Sequence, residues 1–186
     1  MAYKLFRVKQ SQKGQLFPLY VLADEPTPMH IWLPAKEGER LPNGKVKSRM
    51  GGLAFRAGWH CSELPYATHI GVKDDEGIIT MQHPDTVWCV IRYSDSINYD
   101  TVCREHSENM HNGKFVERDA CMEHIPENGF YHYRTNPQMF GRWIIAGAII
   151  IECVLSDGEV DKILKLNGIK PMPRSGGRLD LKKYGF

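Results

Sequence analysis

Residues 143–155 read WIIAGAIIIECVL, and this stretch decides the fold. Apolar side chains follow one another almost without a break, which suits a strand covered on both faces and not one half open to water. The small residues Ala146, Gly147 and Ala148 fall in its middle, so the run reads as a central strand or as two strands joined by a tight bend. Directly after it, Ser156 and Glu159 match the S-x-x-E capping box. Val160, Ile163 and Leu164 then supply one apolar face and Gly168 a left-handed stop, so a helix follows the core run.

Working outward, residues 130–133 alternate aromatic and polar side chains as a strand does. Residues 3–8 and 16–22 are apolar runs around Gly14, which predicts an opening antiparallel pair, and 29–33 adds a third strand. Residues 53–60 read as a strand running into a short helix over 62–68. Residues 78–81 and 86–93 read as a strand pair about His83-Pro84-Asp85, and 99–110 has helical spacing. The regular β-α-β rhythm of a parallel sheet is missing. The expected class is therefore α+β: a single domain over residues 1–168 with mainly antiparallel strands and a few short helices. Residues 169–186 read as a basic C-terminal tail that wraps the surface or frays.

At 186 residues the chain can bury roughly 70% of its unfolded surface without a metal or a staple. A composition 42% apolar and 25% charged excludes a disordered protein, a collagen and a coiled-coil rod. The formal net charge of +2 is too small to capture nucleic acid wholesale, so any such contact is local. Residues 36–49 and 170–183 each carry five basic residues, but neither interleaves them with aromatics, and a solvated cationic surface competes with nucleic-acid binding there. The longest apolar run spans about half of the roughly 20 residues a membrane helix needs. The start MAYKLFRVKQ lacks the apolar segment of a secretion signal. Five cysteines without a C-x-x-C pair point to reduced thiols, and a cytoplasmic location without membrane contact is expected.

The densest reactive cluster is RAGWHCSE at residues 56–63. The guanidinium of Arg56 is a bidentate fork for phosphate, and the imidazole of His60 can donate to a ribose hydroxyl or accept its proton. Strand alternation places Arg56, Gly58 and His60 on one face, with Gly58 letting a ligand approach the backbone. A pocket is expected between residues 53–62 and 130–134, and Trp59, Tyr131 and Tyr133 are candidate stacking rings. The competing reading makes Trp59 core filling, His60 a partner of a carbonyl and Arg56 half of an ion pair. Cys61 beside His60 is no nucleophile pair, since neighbouring strand side chains diverge. His60 with His69, or Cys103, His106 and His111, offer metal-ligand types at poor spacing, and no metal is expected. The G-x-S-x-G elbow, the P-loop and the G-x-G-x-x-G fingerprint are all absent.

On the segments LFRV, FRAGWHCS, GFYHYRTN and RWIIAGAIIIECV the chain resembles the ADP-ribosyltransferase superfamily. The resemblance implies NAD as substrate, with Arg7 or Arg56 on the pyrophosphate and Arg134 beside it. It implies Ser62 on the nicotinamide ribose, His60 beside Ser62, and a catalytic Glu for which Glu127 and Glu152 are the candidates, Glu127 being preferred. A carboxylate stabilises the positive charge that develops on ribose as the glycosidic bond breaks. The GWH segment, the GFY strand and the run before LSDGEV also make the chain similar to uncharacterised proteins of gut-bacterial phages and mobile elements. That similarity implies a bacterial host cell and a host target. Its expected forms are transfer of ADP-ribose or cleavage of NAD, and, as the alternative, a non-catalytic binding or inhibitor protein that blocks a host (defence) protein or nucleic acid, with Trp32, Trp59 or a Tyr as the anchor on a protein.

Overall fold

The structure is a computed structural model and describes residues 1–186. Its elements run β1 (Ala2–Val8), β2 (Leu16–Phe17), β3 (Leu33–Pro34), β4 (Val46–Ser48), β5 (Gly51–Leu53), β6 (Trp59–Ser62), β7 (Val72–Lys73) and β8 (Ile79–Met81). They continue with β9 (Thr86–Tyr93), β10 (Ile97–Asn98), α1 (Asp100–Met110), β11 (Gly129–Tyr133), β12 (Trp143–Ala146), β13 (Ala148–Val154) and α2 (Asp157–Leu166). Mostly antiparallel strands with two helices make this an α+β domain.

The main sheet has the order β10-β11-β12-β6-β1-β9-β13-β3, with β2 beside β1. Only β10 and β11 pair in parallel. β12 and β13 are separated by the single residue Gly147, yet β6, β1 and β9 lie between them in the sheet. The path from β12 to β13 therefore begins and ends on one bent strand, and the sheet closes on itself. Gly147 makes the bend: its N–H donates to the Gly129 carbonyl at 2.9 Å, and its carbonyl accepts from the Ala35 N–H at 2.7 Å. A Cβ at this position would collide with the carbonyl oxygen of Pro126.

Period-two alternation then sorts the side chains into two layers. Inside the closed sheet lie Phe6, Val8, Cys89, Ile91, Ile144 and Ile151. Outside it, Leu5, Trp88, Trp143 and Ile145 form a second core with Val160 and Leu164 from α2. That helix begins on the expected capping box, with Ser156 and Glu159 exchanging bonds, and is followed by Gly168 at φ 71°.

Several expected elements differ. The run 16–22 forms only the two-residue β2, and 29–33 contributes only Leu33 to a strand. Residues 53–60 contain the end of β5 and the start of β6, and no helix follows over 62–68. β8 and β9 do not pair with each other: β8 pairs with β7, while β9 lies between β1 and β13. The reason is that β9 buries residues on both faces, which suits a central strand and not a hairpin arm. The 36–49 segment contains β4, the first arm of the β4–β5 hairpin. The 169–186 segment is built into the domain, because Tyr184 joins the inner core and donates its phenol towards Asp85. No helix is long and apolar enough to cross a membrane.

Candidate functional site

A cavity of about 560 Å³ opens where the chain enters β6. Residues 53–60 form part of its wall, as do residues 18–22, 25–28 and 33–38. Most of the lining is apolar. Tyr133 reaches it from β11, although β12 lies between β11 and β6, so the expected two-strand pocket is in fact a chamber with a third wall from the N-terminal loops.

Trp59 is fixed at one edge. Its indole N–H donates to the Leu33 carbonyl at 2.8 Å, and its ring lies 6.5 Å from that of Phe6. Between these rings runs Lys4, whose Nζ is 5.3 Å from the Trp59 centroid and 5.6 Å from that of Phe6. Nζ donates to the His60 carbonyl at 2.9 Å. Burial pulls the Lys4 pKa down from its ordinary value. Among all ion pairs of the chain none includes Lys4, and none includes Arg56, which also lines the chamber. Lys4 escaped the reading of the sequence, yet a signal was there: in AYKLFRV it alternates with Ala2, Phe6 and Val8 on the apolar face.

His60 has both ring nitrogens engaged, Nδ1 with the Tyr133 hydroxyl at 2.9 Å and Nε2 with the Arg56 carbonyl at 3.0 Å. A carbonyl only accepts, so Nε2 carries the hydrogen and Nδ1 accepts from Tyr133. Burial lowers the His60 pKa to about 4, and the ring is neutral at pH 7 with no nitrogen left for a substrate. His69 also lines the chamber and packs edge-on against Trp143 at 4.7 Å. Its Nδ1 is buried without a partner, and burial lowers its pKa to about 4 as well.

The structure thus brings together Arg56, Trp59, His60 and Tyr133. Ser62 is buried and does not line the chamber; its hydroxyl donates to the Leu64 carbonyl at 2.6 Å, where the chain turns out of β6. Glu127 is exposed on the approach to β11, and Glu152 pairs with Arg92. Tyr131 is fully buried in the outer core and its hydroxyl has no partner. Arg7 donates to the Ala23 carbonyl at 3.1 Å, and Arg134 is exposed beside Pro137; neither lines the chamber. Gly58, at φ 131°, opens no space for a ligand, because a Cβ there would strike the side chain of Ile145. The carboxylates that do line the chamber are Glu25, paired with Lys36 at 2.9 Å, and Glu37, paired with His124.

No group of three or more His, Cys, Asp or Glu side chains is placed to hold a metal ion. Half of the basic residues in the two basic segments are paired: Lys36 with Glu25 and Arg174 with Asp157, Arg40 with Glu123 at 2.7 Å, Lys47 with Glu39 at 2.8 Å, and Arg178 with Asp161 at 2.8 Å. What the chamber offers chemically is apolar wall, aromatic edges, and two basic side chains, Lys4 and Arg56, with no carboxylate partner. A cation in such surroundings is stabilised by an anion that enters with the ligand. No protein-family model matches the chain, and neither a curated protein nor a solved structure does.

Proposed function

We propose that the chain recognises a nucleotide-type ligand in this chamber, with a phosphate on Arg56 and a flat ring against Trp59. The observation that carries the reading is that Lys4 and Arg56, both without a carboxylate, line one largely apolar cavity with Trp59 and Tyr133. An apolar chamber with a few placed polar groups is the usual form of a small-molecule site. NAD is the ligand that the resemblance to ADP-ribosyltransferases favours. Support for recognition is stronger than for bond cleavage: Ser62 and Glu127 do not line the chamber, and His60 has no free nitrogen. In a cleavage reaction the carboxylate near ribose would come from Glu25 or Glu37, and not from Glu127.

Calorimetric titration with NAD, AMP and adenosine tests this reading. AMP and NAD should bind, adenosine should bind more weakly, and Arg56→Gln should weaken AMP about tenfold or more, the worth of one charge-assisted hydrogen bond. Equal affinity for AMP and adenosine, or no heat with any of them, overturns it. A nicotinamide-release assay in the same samples, repeated with Glu37→Gln, separates binding from turnover.

A further inference from the structure

We infer that Lys4 is a carbonyl-reactive amine, so that the chamber captures an aldehyde or ketone bearing an anionic group and joins it to Nζ as an imine. The inference deepens the nucleotide-type reading and rests on it for the chamber and for the anion contact at Arg56.

Lys4 occupies an inward position of the closed sheet, on the face of β1 that carries Ala2, Phe6 and Val8. Lys4 also lines the chamber and is only partly buried. A lysine kept for structure would spend its three N–H donors on acceptors; this one has a single acceptor, the His60 carbonyl. A neutral amine makes that same bond with one N–H and keeps its lone pair free. Desolvation favours the neutral form. The groups that face Nζ supply no full negative charge to oppose it: they are the Phe6 and Trp59 rings, the neutral His60, and the thiols Cys61 and Cys89, which burial holds in their protonated state. A lysine desolvated in a largely apolar pocket is a recognised form of activated nucleophile.

The reaction balances without an oxidant or reductant. The Nζ lone pair forms a bond to the carbonyl carbon, the C=O pair moves to oxygen, and the proton lost from nitrogen is matched by one gained at that oxygen. Loss of the oxygen as water then leaves C=N, so one amine and one carbonyl give one imine and one water. Arg56 holds the anionic end of the molecule meanwhile.

The test uses pyridoxal 5′-phosphate as an aromatic, phosphorylated aldehyde, with borohydride to reduce the imine, followed by peptide mapping that separates the Met1 amine from Lys4 Nζ. At limiting reagent the adduct is expected on Lys4 at about tenfold the level of any other lysine, because more of this amine is neutral near pH 7. Pyridoxal without the phosphate should label Lys4 less, and Arg56→Gln should remove that difference. Lys4→Arg should abolish the adduct, though the wild-type map alone decides if that variant does not fold. Adducts spread evenly over exposed lysines, or confined to Met1, overturn the inference even where AMP binding is intact. Selective Lys4 labelling that AMP does not block supports the amine chemistry and removes the nucleotide reading instead.

Discussion

Tyr133 donates its phenol hydrogen to Nδ1 of His60 across 2.9 Å, and the backbone carbonyl of the same histidine accepts from Lys4. One residue of β6 thus ties a side chain of β11 to a side chain of β1, with Arg56 held to its other ring nitrogen. His60 positions the chamber wall, and its imidazole is spent in doing so.

This arrangement has a pH signature. The folded pKa of His60 and of His69 is about 4, below the ordinary 6.5. Between those values the unfolded chain binds more protons than the folded one, so stability is fully present above pH 6.5 and is lost as pH falls towards 4. Each unit of separation is worth about 1.4 kcal/mol. Urea midpoints at pH 7.5, 5.5 and 4.5 should fall more steeply for the wild type than for His60→Gln. Parallel slopes would show that His60 does not titrate in this way.

The two tyrosines of β11 should respond with opposite signs. Tyr133→Phe removes the donor from a buried imidazole nitrogen and should destabilise by about 1–3 kcal/mol. Tyr131→Phe removes a buried hydroxyl that has no partner, and should be neutral or stabilise by about 1 kcal/mol. Chemical denaturation of the two single variants checks both; a loss with Tyr131→Phe equal to that with Tyr133→Phe would show that its hydroxyl is bonded.

Arg174 anchors the C-terminal segment, with a side chain only 7% exposed. Its Nε donates to Asp157 at 3.0 Å, and its Nη1 donates to the carbonyls of His83, Pro84 and Thr86. Asp157 in turn accepts from the Leu179 N–H at 2.8 Å. Replacing the arginine leaves a carboxylate that is only 17% exposed without its counter-charge, so Arg174→Met should cost about 3 kcal/mol. Amide exchange after Met172 should rise in the variant before it rises in β1 or β9; uniform loss of protection would show that the segment does not come away first.

Gly147→Ala should be far more damaging than Gly168→Ala. At Gly147 the added methyl meets backbone, whereas at Gly168 nothing lies within 4 Å and only the left-handed φ of 71° is strained. The expected losses are about 3 kcal/mol or more against about 1 kcal/mol, read from thermal melts. Similar melting temperatures would mean that the bend tolerates a side chain.

Local features were legible in the sequence. The α2 helix announced itself because its cap, its apolar stripe and its stop all lie within a few residues of one another. Strand partnership was not, since β9 finds β1 and β13 through packing between distant segments and no turn residue records it. Ser62 entered the candidate site through the resemblance, which assigns it to a ribose, but in the fold its hydroxyl donates to the Leu64 carbonyl just after the strand ends. Arg174 read as part of a solvated basic run because its partner, Asp157, sits 17 residues earlier on another element. Lys4 is inconspicuous for the opposite reason: its out-of-place charge lies on an apolar strand face at the start of the chain, far in sequence from the reactive Gly-Trp-His stretch.

The bent strand around Gly147 also bears on how the protein is made. β1 sits between β6 and β9, and the sheet closes only when β12 and β13 arrive. At about 5–20 residues per second a ribosome needs roughly 7–30 seconds to deliver them. For that interval β6 and β9 can already flank β1, but the inner face that carries Phe6 and Val8 still lacks its closing wall, so it is the last apolar surface of the chain to be covered.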